Sequence, residues 1–175
     1  MVKEKIRAKA KALGFDAVGF TSTVAAPGDE HALSKFLSNG WNGEMAWMEN
    51  THGRRPDPQK TMPSAKSIIV LGMNYGPTEN PLTNLEYTDR GNISVYARAT
   101  KDYHDIVKKR LKQLGRWLVE EFSEDIKVFV DTAPIMEKPL AARAGLGWQA
   151  KHTNIVSKDY GSWLFLGEIF TELDI

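Results

Sequence analysis

Five runs of this chain carry side chains whose types and spacing could do chemistry. The first is Val130-Asp131-Thr132-Ala133-Pro134. It sets a carboxylate where a strand should end and a helix begin, at a sheet edge where ligands often bind. A carboxyl kept protonated by burial at such a point can serve as a proton donor. Asp and Thr also cap helices, so a structural role fits the same residues. The second run is Ala144-Gly145-Leu146-Gly147-Trp148-Gln149-Ala150-Lys151-His152-Thr153-Asn154. Its glycines permit close backbone approach to a ligand. Lys151, His152, Thr153 and Asn154 then offer four polar side chains in succession, suited to phosphate, amide or ribose groups. The run matches neither GxxxxGK(S/T) nor GxGxxG, and a helix C-cap followed by a polar turn reads equally well.

The third run, Tyr96-Ala97-Arg98-Ala99-Thr100-Lys101-Asp102-Tyr103-His104, gathers aromatic rings, an arginine and a histidine. Such a set suits a large planar ligand or a stacked base. It also reads as a capped helix start with surface aromatics. No second histidine or carboxylate stands at ligand spacing from His104, so no metal site is expected. The fourth is Lys108, Lys112 and Arg116 at four-residue spacing, flanked by Lys109 and Arg110. It could contact phosphates or form a solvated helix face. The fifth is the pair Arg54 and Arg55, able to hold a carboxylate or phosphate.

These residues need a scaffold, and 175 residues supply about one domain. The composition, 42% hydrophobic and 26% charged, excludes disordered and fibrous classes. The absence of cysteine excludes a disulfide framework, a thiolate zinc site, an iron–sulfur cluster and a cysteine nucleophile within these residues. The near balance of 23 Lys and Arg against 22 Asp and Glu excludes a wholesale basic protein but not a local basic patch. Met1 to Gly14 lacks an apolar core of the signal-peptide kind. Ile68 to Met73, the longest apolar run, is too short to span a bilayer. The expectation is a soluble cytoplasmic protein with no membrane partner.

Spacing of apolar residues predicts a helix from Val2 to Leu13, a strand over Phe15–Phe20, a helix over Glu30–Asn39 and another turn of helix within Trp41–Asn50. Thr51–Pro63 reads as a loop and Ser67–Tyr75 as a central strand. Gly76–Gly91 is a long polar stretch of the kind that is usually functional. Lys101–Phe122 is the clearest helix, followed by a strand over Ile126–Val130 and a short helix over Met136–Ala144. Thr153–Ser157 and Trp163–Leu173 read as two strands joined as a hairpin through Lys158-Asp159-Tyr160-Gly161. The order does not repeat as βαβ, so an α+β sandwich with helices on a mainly antiparallel sheet fits best.

Taken in order, these residues resemble the N-terminal domain of the epoxyqueuosine reductase family, cobalamin-dependent enzymes of the last step of queuosine synthesis in tRNA. The residues that carry the likeness are Arg55-Pro56-Asp57-Pro58, Ile93-Ser94-Val95-Tyr96-Ala97-Arg98, Asp102-Tyr103-His104 and Val130-Asp131-Thr132-Ala133-Pro134. Ala144-Gly145-Leu146-Gly147-Trp148, Lys151-His152-Thr153-Asn154 and Gly161-Ser162-Trp163-Leu164-Phe165-Leu166-Gly167-Glu168 complete it. The resemblance implies a nitroreductase-like sandwich of the reductive dehalogenase kind, with cobalamin across the sheet edge. It makes Asp131 the proton donor and puts cobalamin contacts at Arg55, Ser94, Tyr96, Thr153, Asn154, Ile155 and Leu166, some through backbone groups. The substrate would be epoxyqueuosine at the wobble position of a tRNA anticodon stem-loop. The family continues into a ferredoxin-like domain whose cysteines hold two 4Fe–4S clusters and deliver electrons, and this chain ends where that domain would begin. Residues 1–175 are thus expected to form one cobalamin-binding catalytic domain, monomeric and inactive by itself.

Two other classes stay open on the residues alone. One is a flavin-dependent nitroreductase-like enzyme holding an FMN phosphate on Gly147–Asn154. The other is a non-enzymatic module that binds cobalamin or tRNA.

Overall fold

The sequence SIIVLGMN is apolar at successive positions, and a strand of that kind must be covered on both faces. In the computed structural model, which describes residues 1–131 and 133–175, that segment is β2 (Ser67–Asn74). It lies inside a four-stranded sheet of order β1-β2-β6-β3, built with β1 (Ala17–Ser22), β3 (Ile126–Phe129) and β6 (Leu164–Thr171). Every neighbouring pair is antiparallel. Alternate side chains feed two cores. Ile69, Leu71 and Ile169 meet α1 (Val2–Ala12) and α5 (Tyr103–Phe122) through Ile6, Ala10, Val107, Leu111, Leu114 and Leu118. Ile68, Val70 and Phe170 face the other way, toward Leu140 and Ala141 of α6 (Glu137–Arg143) and toward Leu146 and Ile155.

The long helix begins at Tyr103 rather than Lys101, because the Asp102 side chain caps it by accepting from His104 N–H at 2.9 Å. It lies close on the sheet: a Cβ on Gly167 would stand 2.9 Å from Leu111. Helix α2 runs Pro27–Ser38, starting earlier than the apolar spacing suggests because proline occupies its first turn. Helix α3 occupies only Trp47–Thr51, and the expected Thr51–Pro63 loop contains α4 (Pro58–Thr61), capped by Asp57.

The C-terminal hairpin does not form. Ser157 and Gly161 bond each other and close the Lys158–Gly161 turn on itself. Before it, β5 (Ile155–Val156) pairs with β4 (Trp148–Gln149) in a separate two-stranded ribbon, and beyond it β6 enters the main sheet. A Cβ on Gly147 would stand 2.1 Å from the Val156 carbonyl oxygen, so this ribbon closes only on glycine. Among the described residues no helix is long and apolar enough to cross a membrane.

Candidate active site

The end of β3 delivers the chain to Asp131, whose backbone turns left-handed at φ 50°. The expected burial of this carboxyl is not found: its side chain is 58% exposed. It is held instead by the start of α5. The Tyr103 hydroxyl donates to Asp131 Oδ2 at 3.0 Å, and His104 Nε2 lies 3.1 Å from the same oxygen. His104 Nδ1 is 2.7 Å from Asp102 Oδ1. Carboxylates only accept, so this arrangement favours an imidazolium donating from both nitrogens. Burial alone would lower the His104 pKa, but the hydrogen bonds and charges of Asp102 and Asp131 outweigh it and raise the group above its ordinary value. Burial, then Asp131, raises Tyr103 strongly and keeps it protonated.

Tyr103 is further fixed by stacking. Its ring lies 4.0 Å from His104 on one side and 4.0 Å from Phe165 on the other, and Phe165 stacks on Tyr75 at 4.1 Å. This column commits Tyr103 to the protein, so it does not offer a free face to a planar ligand.

Asp131 also lies on the rim of a cavity of about 500 Å³ between α2, the α3 segment, the start of α6 and the ribbon. Leu33, Phe36, Met45 and Met48 form an apolar wall, while Arg55, Glu137, Gln149 and Thr153 supply polar groups. Arg55 stacks over Trp47 at 5.1 Å and reaches the Ile135 carbonyl oxygen at 3.5 Å. Burial lowers its pKa and Glu137 works against that.

Of the residues expected to touch a cofactor, Arg55 and Thr153 share this cavity with Asp131. Tyr96 instead lines a neighbouring hollow with Asp102, Tyr103 and His104 and is 54% exposed. Ser94 stands one residue before the short 3-10 helix Val95–Ala97, its carbonyl accepting from Ala97 N–H. Asn154 is exposed, and its N–H is taken by His152 Nδ1 at 3.2 Å. Ile155 and Leu166 pack into the core under α6, so what they can offer a ligand is backbone. Arg98 turns into its own loop, bonding the Ile93 carbonyl and Asn92. Lys108, Lys112 and Arg116 are exposed along α5. Thr132 lies outside the described residues.

Two carboxyls went unread in the sequence. Glu168 on β6 has no exposed surface, and no donor among the described residues reaches either of its oxygens. Glu137 opens α6, and its Oε1 accepts from the Asp131 N–H at 2.5 Å. Burial raises both, Glu168 far more, and repulsion from Glu137 adds to the rise at Glu168.

The family model described as "Epoxyqueuosine reductase QueG, DUF1730" matches residues 55–132, the segment from Arg55 to the Asp131 turn. An epoxyqueuosine reductase from Synechocystis sp. is 40% identical over 90% of this chain and 54% of its own length. The chain is similar to epoxyqueuosine reductases along nearly all of its length. A solved epoxyqueuosine reductase with an epoxyqueuosine-modified tRNA-Tyr stem loop matches 99% of this chain and 46% of its own, at 29% identity and TM-score 0.82. Another, from Bacillus subtilis, is described with its catalytic aspartate loop swung out of the active site, and matches at 28% identity, TM-score 0.78, over 99% of this chain and 46% of its own. Reductive dehalogenases, one described in connection with B12-dependent dehalogenation, share the fold at 18% identity and TM-score 0.55, over 97% of this chain and 19% of that one. The chain spans about half the length of the epoxyqueuosine reductases it matches.

Proposed function

We propose that this chain is the cofactor- and substrate-facing part of an epoxyqueuosine reductase that acts on tRNA, with Asp131 as its proton donor. One observation supports the reading above the rest: Asp131 sits at the mouth of a cavity with one oxygen held by both Tyr103 and His104, in a chain related to epoxyqueuosine reductases over 90% of its length.

Reduction of an epoxide to an alkene breaks both C–O bonds, takes up two electrons and two protons, and releases water. Bound reduced cobalamin would supply the electrons. The donor set fits such a group: an apolar wall for a macrocycle edge, with Arg55 and Thr153 on the same cavity and Tyr96 in the hollow beside it for polar side arms. The chain's own residues manage the proton. Tyr103 and His104 hold the Asp131 carboxyl through Oδ2 at the mouth of the cavity. His104 Nε2 passes its proton to this carboxyl, which delivers it to the substrate oxygen; the imidazole takes a proton back from solvent, which also supplies the second proton, and Asp102 holds His104 for that step. The lysines and arginine along α5 suit the phosphates of a tRNA stem. Electrons reach the site through a cluster-bearing ferredoxin-like domain outside these residues.

Asp131→Asn tests the assignment. With a chemical reductant supplied, turnover of an epoxyqueuosine-containing tRNA stem loop should fall at least about 100-fold. The visible spectrum on cobalamin addition should stay that of the parent. Weakened cobalamin binding with normal turnover of the bound fraction would overturn the role.

A further inference from the structure

Asp131 is held from two sides. Tyr103 and His104 take its side chain, while its backbone N–H points the other way, to Glu137 Oε1. Beneath Glu137 lies Glu168, wholly buried, pointing to the α6 face of the sheet with Leu166 and Phe170. Glu137 is the carboxyl that acts most strongly on Glu168, through its charge and through a hydrogen bond between the two side chains that a protonated Glu168 can donate. The charged groups facing the pair are Arg55, half-buried and on the Glu137 side, and Asp131.

Two carboxylates cannot both stay ionised in so dry a place with one partly exposed cation beside them. The surroundings decide which one keeps its charge. Glu137 has a backbone donor and Arg55, and both favour its charged form. Glu168 has no contact with solvent and no donor among the described residues to favour its charged form, and the carboxyl it bonds to is that of Glu137. We infer that Glu137 and Glu168 form a one-proton latch under the site: Glu168 carries the proton, and Glu137, kept as the carboxylate, grips the Asp131 N–H and holds the turn that aims its side chain. Glu137 is thus a positioning residue, acting through Asp131. For turnover the inference rests on Asp131 being the proton donor; for the backbone it does not.

The Asp131 amide reports the latch directly by ¹⁵N–¹H NMR of the chain. Asp131 is exposed, so its amide should exchange with solvent rapidly unless Glu137 holds it. The parent should show a strongly downfield, slowly exchanging Asp131 amide. Glu137→Gln keeps an acceptor oxygen and should retain most of that signature. Glu137→Ala should lose it, with exchange faster by at least about 10-fold. Glu168→Gln, which mimics the protonated acid, should keep it. In turnover, Glu137→Ala should lower kcat by about 10- to 100-fold, and Glu137→Gln should recover most of the loss.

A freely exchanging Asp131 amide in the parent overturns the latch whatever the variants do. So does Glu137→Gln proving as damaging as Glu137→Ala. The two readings fail separately. A protected amide with full turnover in Asp131→Asn sinks the proton-donor assignment alone, whereas a free amide with turnover lost in Asp131→Asn sinks the latch alone.

Discussion

Replacing Glu168 by glutamine should make the protein's stability less sensitive to pH, and the size of the effect follows from where the residue lies. Glu168 sits in β6 between Val70 of β2 and Phe129 of β3, with no exposed surface. Burial first, then repulsion from Glu137, keeps its carboxyl protonated well above the ordinary carboxylate range. In the unfolded chain the same group ionises near about 4.3. Below that value both states hold the proton and the residue costs nothing through titration. As pH rises beyond it, the unfolded chain releases the proton while the folded one keeps it. Folded stability then falls by about 1.4 kcal/mol per pH unit until the folded group itself ionises. Glutamine keeps the shape and cannot titrate. Glu137 titrates in both proteins, so most of its contribution cancels in the difference. The gap in Tm between Glu168→Gln and the parent should be small near pH 4 and should widen toward neutrality. With about 2–4 °C per kcal/mol for a chain of this size, the widening is about 3–6 °C per pH unit. Thermal melts followed by circular dichroism between pH 4 and 8 read this directly. A gap that does not change with pH would refute the claim that Glu168 holds a proton in the folded protein.

Three further outcomes are expected. The His104 ring should titrate above its ordinary value by NMR, and Asp102→Asn should bring the midpoint down; its contribution to folding is full below about 6.5 and fades as pH climbs through the folded value. An unmoved midpoint in Asp102→Asn would contradict the bridge. Gly147→Ala puts a methyl into the Val156 carbonyl, and should cost about 2–3 kcal/mol in denaturant melts while displacing Thr153 and weakening cobalamin binding. Leu111→Ala, which empties a site packed between β6 and α5, should cost about 2–5 kcal/mol without touching the cavity; a loss under 1 kcal/mol would mean the core there is looser than the structure has it.

Periodicity named most elements but not their partners. The apolar face of α5 and the unbroken run in β2 are local signals, and both were legible. Where β6 pairs is not local: an eight-residue apolar strand is compatible with a hairpin or with insertion into a sheet, and the self-closing turn at Ser157–Gly161 decides it. Asp131 could be singled out because strand ends before a helix are chemically suggestive, but its exposure depends on the turn beyond β3. Tyr103 and His104 were grouped with Tyr96 and Arg98 as a ligand platform, and the fold splits that group between an aromatic column, a hollow and a loop. The buried carboxyls did leave a trace. In LFLGEIF both alternating faces are apolar, so the lone glutamate could not have been facing solvent. Only the three-dimensional neighbour, Glu137, gives that glutamate a meaning.

The turn at Asp131 has one more consequence. A left-handed backbone is readily adopted by glycine, asparagine and aspartate, and resisted by longer side chains. Glutamate would bring the same acid group but would strain the main chain and overshoot the hydroxyl of Tyr103. Asparagine would fit the backbone and lack the acid. Two independent demands, one from the peptide geometry and one from the carboxyl, overlap in a single amino acid, so even the swap that looks mildest on paper is closed to this position.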